Sequence, residues 1–182
     1  MIGSALPATD IVVLDAHGVV FNRAFPAFVR RRATERGDDP DAVWGRWRNT
    51  LRIDFWEGRI AEPDMWASLF PGVVPVQLSA DLERGFEPGP LFELVATSTH
   101  RLWMLSNHRS DWLLPRLDRF GIADRFERVI VSDRLGVAKP DPAVFAPLIE
   151  AMRDHALCFI DDSPANVAAA RAVGIDAVLP SL

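Results

Sequence analysis

Five short runs of consecutive apolar, often β-branched residues constrain this chain more than any other feature. The first is Ile11-Val12-Val13-Leu14, closing on Asp15; the others are Leu102 to Leu105, Val129 to Val131, Leu157 to Ile160 and Ile175 to Leu179. Apolar residues at successive positions, without alternation, suit strands buried on both faces of a parallel sheet. Helical spacing fills the intervals at about 111–120, 142–153 and 164–173, each entered through a turn-forming or capping residue, and Gly121 and Gly174 stand where two of these helices should close. Strand and helix in alternation predict an α/β fold, a doubly wound parallel sheet with right-handed crossovers. A chain of 182 residues that is 49% hydrophobic is long enough for one such domain and a modest insertion.

The alternation fails between Asn22 and about Pro88. This stretch holds Trp44, Trp47, Trp56 and Trp66, many arginines, and helical segments punctuated by Gly37-Asp38-Asp39-Pro40, Gly58, Pro63 and Pro71-Gly72, with no convincing strand. It reads as an all-helical cap, residues 22–88, inserted after the first strand of a core made of residues 1–21 and 89–182. Large aromatics at helical spacing usually pack against a neighbour, so these tryptophans are expected in the cap's own core.

Charge and composition exclude several classes of partner. A net charge of −5, with the arginines scattered, disfavours a nucleic-acid partner. No apolar run approaches a membrane span, and Met1 to Asp10 carries neither a basic stretch nor a long apolar core, so a cytoplasmic protein is expected. Cys158 has no second cysteine to pair with and sits in an apolar run, which predicts burial without chemistry. Nothing in the pattern reads out an oligomeric state.

Ligands of open α/β sheets bind beyond the carboxyl ends of the strands. Those ends carry Asp15-Ala16-His17-Gly18, Ser106-Asn107, a loop leading through Ser132 and Gly136 to Lys139-Pro140-Asp141-Pro142, and Asp161-Asp162-Ser163 followed by Asn166. Any one could be a helix cap or turn residue. Together a carboxylate, a hydroxyl, an ammonium and a carboxylate pair suit phosphoryl transfer, which needs positioning and neutralisation of phosphoryl oxygens. Asp15, Asp161 and Asp162 could hold Mg²⁺, Lys139 could screen them and contact the phosphoryl group, and Ser106 with neighbouring N–H groups could bind another oxygen. Asp15 would then be free to attack phosphorus. Lys139 is also the only lysine beside nineteen arginines, a skew that points to a position needing a compact ammonium.

The order Leu14-Asp15-Ala16-His17-Gly18-Val19, Leu105-Ser106-Asn107, Ser132…Gly136…Lys139-Pro140-Asp141-Pro142…Phe145 and Phe159-Ile160-Asp161-Asp162-Ser163…Asn166 resembles the four motifs of the haloacid dehalogenase superfamily. Phe55-Trp56-Glu57-Gly58-Arg59-Ile60, followed by Met65-Trp66, is similar to the cap of bacterial sugar-phosphate phosphatases related to the N-terminal domain of soluble epoxide hydrolase. The resemblance implies a Mg²⁺-dependent phosphatase acting on a small phosphorylated substrate. It implies Asp15 as nucleophile and metal ligand, the residue 17 carbonyl as a further ligand, Asp161 and Asp162 as the metal acids, and Ser106, Asn107 and Lys139 as phosphate contacts. Superfamily phosphatases typically carry a second aspartate two residues after the nucleophile, and here His17 stands instead. Three readings follow: His17 replaces that acid, or phosphatase activity has been lost and a binding or regulatory protein remains, or the chain is a 2-haloacid dehalogenase. The pair Asp161-Asp162 favours a phosphatase over a dehalogenase. His108 and Arg109 are pocket candidates that a solvated loop would explain equally well, and Arg48, Arg52 and Arg59 are candidate anion contacts on helix faces.

Overall fold

A computed structural model describes residues 9–180; the leader reading for the first eight residues lies outside them. The chain enters through β1 (Ile11–Leu14). It then runs through α1 (Ala24–Arg36), α2 (Pro40–Arg46), a π-helical turn at Trp47–Leu51, α3 (Arg52–Trp56), α4 (Glu62–Leu69) and α5 (Pro75–Glu83). Next come α6 (Phe92–Thr97), β2 (Arg101–Ser106), α7 (Ser110–Arg119), β3 (Phe126–Val131) and α8 (Ser132–Leu135). A 3₁₀ turn at Pro142–Phe145, α9 (Ala146–Ala151), β4 (Leu157–Ile160), α10 (Pro164–Ala172) and β5 (Asp176–Val178) complete it.

The five strands form one sheet in the order β3-β2-β1-β4-β5, every pairing parallel. β1 is central, with Leu14 opposite Met104 on one side and Ile160 on the other. Successive side chains of a strand face opposite sides of the sheet, which explains the unbroken apolar runs. Val12, Leu14, Leu102 and Met104 pack on one face against Phe25, Phe28, Trp47, Trp66 and Trp112. Ile11, Val13, Trp103 and Leu105 pack on the other against Val144, Phe145, Leu148, Val167 and Ala170.

Each expected strand and each expected interval helix is present, β1 and β4 with the expected bounds and the others with shifted ones. The helix expected over 142–153 is divided into the 3₁₀ turn and α9, because Pro147 lacks the N–H that a helix continuous from Pro142 would need. α6, α8 and the π-helical turn were not foreseen. Among the described residues the stretch 22–88 contains helices and no strand of its own; only an isolated antiparallel bridge ties Phe21 to Pro88. That bridge and a pair of bonds hold its two ends together: Asn22 N–H donates to the Glu87 carbonyl at 3.0 Å and Asn22 Nδ2 to the Gly85 carbonyl at 3.1 Å. Trp47, Trp56 and Trp66 are buried, as expected, whereas Trp44 is only half-buried; Cys158 is buried and free. No helix among the described residues is long and apolar enough to cross a membrane.

Candidate active site

The carboxyl ends of β1, β2 and β4 bring the four polar groups together. Asp15 follows β1 directly, its N–H continuing the ladder to the Ile160 carbonyl at 2.9 Å. Lys139 arrives from the loop after β3 and α8, and its buried ammonium donates to Asp15 Oδ1 at 2.8 Å, Asp161 Oδ2 at 2.6 Å and the Leu105 carbonyl at 2.7 Å. Three N–H groups thus meet three acceptors, the full capacity of an ammonium. Asn107 fixes that loop from below. Its Oδ1 accepts from the Lys139 N–H and its Nδ2 donates to the Lys139 carbonyl, each at 2.7 Å, so the amide side chain holds protein backbone instead of facing the cleft. Ser106 is buried at the end of β2.

The two final carboxylates differ in their surroundings. Asp161 is fully buried and saturated: besides Lys139, its Oδ1 accepts from the Ser163 N–H at 2.8 Å, and Asn166 Nδ2 reaches both oxygens at 3.0 Å. Asp162 is paired with the exposed Arg23. Gly18 makes this approach possible. It adopts φ +82°, and a Cβ there would lie 1.7 Å from Asp162 Oδ2. One oxygen each from Asp15, Asp161 and Asp162 lies within 4.8 Å of the others. Hard oxygen donors at this spacing are suited to a divalent cation of the Mg²⁺ type. The electrostatics agree: burial, with Asp161 and Asp162 adding to it, pushes Asp15 up to about 7 against the pull of Lys139. Burial pulls the Lys139 ammonium down, but the two carboxylates outweigh it and the net shift is upward.

His17 lies beside this cluster but its ring belongs to another one. Its Nε2 is 2.8 Å from Arg116 Nη1 and 3.1 Å from His108 Nε2, and the ring stacks on Phe86 with centroids 5.0 Å apart. Burial, then the Arg116 charge and then Lys139, hold the His17 imidazole well below its usual range. His108 is fully buried, not part of a solvated loop, and is lowered likewise by burial, His17 and Arg116. Arg109 is bound to Asp111 and to the Ile60 carbonyl. Sequence reasoning missed Arg116 and Glu83; the available signal was an arginine at position 116 on the same helical face as Trp112 and Leu113.

A cleft of about 290 Å³ opens over Asp15, His17 and Asp162 and is walled by Phe25, Trp44, Trp47 and Trp56. Arg48 and Arg52 also line it, whereas Arg59 is paired with Asp54 and Glu57.

The model of the haloacid dehalogenase-like hydrolases matches residues 90–174. A phosphoglycolate phosphatase of Rhodospirillum rubrum is 30% identical over 177 residues, covering 96% of this chain and 64% of the relative. Over residues 90–174 the chain belongs to the haloacid dehalogenase-like hydrolases. Another relative, a phosphoglycolate phosphatase of Cereibacter sphaeroides, is 26% identical over 150 residues, 82% of this chain and 61% of its own length. The chain therefore spans 61% to 64% of the length of these relatives. The superfamily fold recurs in a Bacteroides thetaiotaomicron enzyme of the family, solved with magnesium and inorganic phosphate, at TM-score 0.71 and 18% identity over 94% of both chains. It recurs again in the L-2-haloacid dehalogenase of Xanthobacter autotrophicus, at TM-score 0.67 and 22% identity over 92% of this chain and 76% of that one.

Proposed function

We propose that the chain is a Mg²⁺-dependent hydrolase of small phosphate esters, with residues 22–88 as the cap over its cleft. The observation that carries this reading is the cluster of Asp15, Asp161 and Asp162 around the three-coordinated Lys139 ammonium at the carboxyl end of the sheet. Asp15 is the nucleophile. Its Oδ1 is held by Lys139, while Oδ2 takes no hydrogen bond among the described residues and is free to form a bond to phosphorus as the ester oxygen leaves. Lys139, its three donors already taken, contributes positive charge that offsets the phosphoryl oxygens, and the end of β2 at Ser106 positions them. Water then cleaves the aspartyl phosphate and returns Asp15. A bound divalent cation, held by Asp15, Asp162 and the residue 17 carbonyl, with the charge of the saturated Asp161 behind them, would supply further neutralisation of the phosphoryl group.

The relatives' activity on phosphoglycolate and Arg48 and Arg52 in the cleft wall, beside Arg23 on Asp162, support a phosphate ester that bears a carboxylate. The test is release of inorganic phosphate from p-nitrophenyl phosphate, phosphoglycolate and a panel of sugar phosphates with Mg²⁺, beside halide release from 2-haloacids and an Asp15→Asn control. Phosphate release that needs both Mg²⁺ and Asp15 is expected. Halide release without metal would replace this reading with a dehalogenase, and no turnover of either kind, with phosphate still binding, would leave a binding protein.

A further inference from the structure

The segment Trp56-Glu57-Gly58-Arg59-Ile60 leads from α3 to α4, and four of its residues meet the loops that follow β2 and β3. The Trp56 carbonyl accepts from Ser132 Oγ, and that hydroxyl accepts in turn from the His108 N–H at 3.0 Å. Glu57 Oε1 accepts from the Ala138 N–H at 3.1 Å. Gly58, at φ +75°, lies so close to the next loop that an added Cβ would stand 3.1 Å from the Asp133 carbonyl oxygen. The Ile60 carbonyl accepts from Arg109 Nη1 at 3.3 Å. None of the steps above uses these contacts.

The contact at Glu57 bears directly on the site, because Ala138 immediately precedes Lys139 and both are buried. Residues 136–141 lie between α8 and the 3₁₀ turn and belong to no helix or strand, so their N–H groups have no ladder to join. Two consecutive N–H groups are met instead by side chains from distant segments. Glu57, 81 positions away, takes that of Ala138; Asn107 takes that of Lys139 and also donates to the Lys139 carbonyl, each at 2.7 Å. A carboxylate is a strong acceptor for such a group. The Glu57 side chain is only 11% exposed, and Arg59 pairs with its other oxygen, Oε2, which offsets the charge on the solvent side. The backbone held in this way is the root of the ammonium that meets Asp15, Asp161 and the Leu105 carbonyl.

We propose that Glu57 is a positioning residue for Lys139: from within the helical segment it fixes the backbone of the loop that carries the ammonium to Asp15. On the phosphatase reading, on which this role rests, the brace keeps in place the positive charge that offsets Asp15 and the phosphoryl oxygens. It acts through the reach of Oε1 to Ala138 and not through the charge of the carboxylate.

Lys139 is the only lysine, so selective ¹⁵N-lysine labelling of the full chain gives one ammonium resonance, read at neutral pH with Mg²⁺. Hydrogen exchange of that ammonium and of the Ala138 amide is expected to be slow in the native sequence and about 10-fold faster in Glu57→Ala, the scale of one net hydrogen bond. In the same variant kcat for p-nitrophenyl phosphate is expected to fall about 10-fold to 100-fold, with KM changed by less than about 2-fold. Glu57→Asp, which keeps the charge but withdraws the oxygen by one methylene, is expected to match Glu57→Ala and serves if the latter does not fold. Glu57→Gln, which keeps an oxygen within reach of Ala138, is expected to recover the slow exchange and most of kcat. Native-like ammonium exchange or unchanged kcat in Glu57→Ala and Glu57→Asp overturns the proposal. Loss in Glu57→Gln equal to that in Glu57→Ala also overturns it, because charge and not reach would then matter. So does faster exchange spread evenly over the chain with a lowered Tm, which would make Glu57 a general stabiliser. If the native chain turns over no ester, the phosphatase reading fails separately, while the ammonium resonance still decides whether Glu57 holds Lys139.

Discussion

Lys139 shows at the scale of one residue why an ammonium and a guanidinium are not interchangeable. Its three donors meet Asp15, Asp161 and the Leu105 carbonyl at 2.6 to 2.8 Å inside a buried space, and a planar fork cannot place three bonds around one nitrogen there. Lys139→Arg is expected to lower kcat/KM by about 100-fold or more while circular dichroism shows a retained fold; near-normal kinetics would refute the argument from its uniqueness. Asp15 carries a second expectation. Held at about 7 in the folded chain against 3.8 for the free side chain, it binds more protons folded than unfolded between roughly pH 4 and pH 7, so its contribution to stability falls as pH rises through that window. A cation bound by the ionised carboxylate reverses that loss. Mg²⁺ is therefore expected to raise Tm more at about pH 8 than at about pH 5; equal shifts at both would remove Asp15 from the metal site. The residue scale is also where reading the sequence stopped short: position 17 could be named from its spacing to Asp15, but the identity of its partners, His108 and Arg116, depends on contacts across more than ninety positions.

Among the elements, the helix that carries Trp44 and Trp47 is the most informative. α2 continues through the π-helical turn Trp47–Leu51 into α3, and such widened turns often occur at functional sites. This one sets Arg48 and Arg52, four positions apart, along the cleft, and neither takes part in an ion pair among the described residues. Like charges at that spacing repel, so an anion between them would relieve a local cost. The double variant Arg48→Ala/Arg52→Ala is expected to raise KM for phosphoglycolate about 10-fold, with p-nitrophenyl phosphate changed by less than about 2-fold; equal effects on both esters would assign the arginines to general field and not to a carboxylate. Periodicity read the strands well because each is apolar throughout, whereas the π turn leaves no mark in a hydrophobic pattern. Likewise α8 is four residues long, too short for any helical period to show.

For the whole molecule, the decisive feature is that the helical segment 22–88 and one face of the sheet share a single apolar cluster, from Val12 and Leu14 to Trp47, Trp66 and Leu82. A continuous core of this kind should melt as one unit. Denaturant unfolding followed by tryptophan fluorescence in Trp103→Phe/Trp112→Phe, which leaves Trp44, Trp47, Trp56 and Trp66 in the segment as reporters, is expected to coincide with far-UV circular dichroism; a separate early fluorescence transition would show that the segment unfolds alone. The strand order of polar ends, the α/β class and the helical character of residues 22–88 were all legible in the amino-acid sequence, because they rest on local periodicity and on residues that stand next to strand ends. Tertiary structure alone decided which groups are already occupied: Asn107 on the Lys139 backbone, Asp161 on Asn166 and Ser163, His17 on Arg116. Hydrogen-bond partners of a buried side chain are set by which distant segments pack around it, and the spacing of residues along a chain carries no record of that choice.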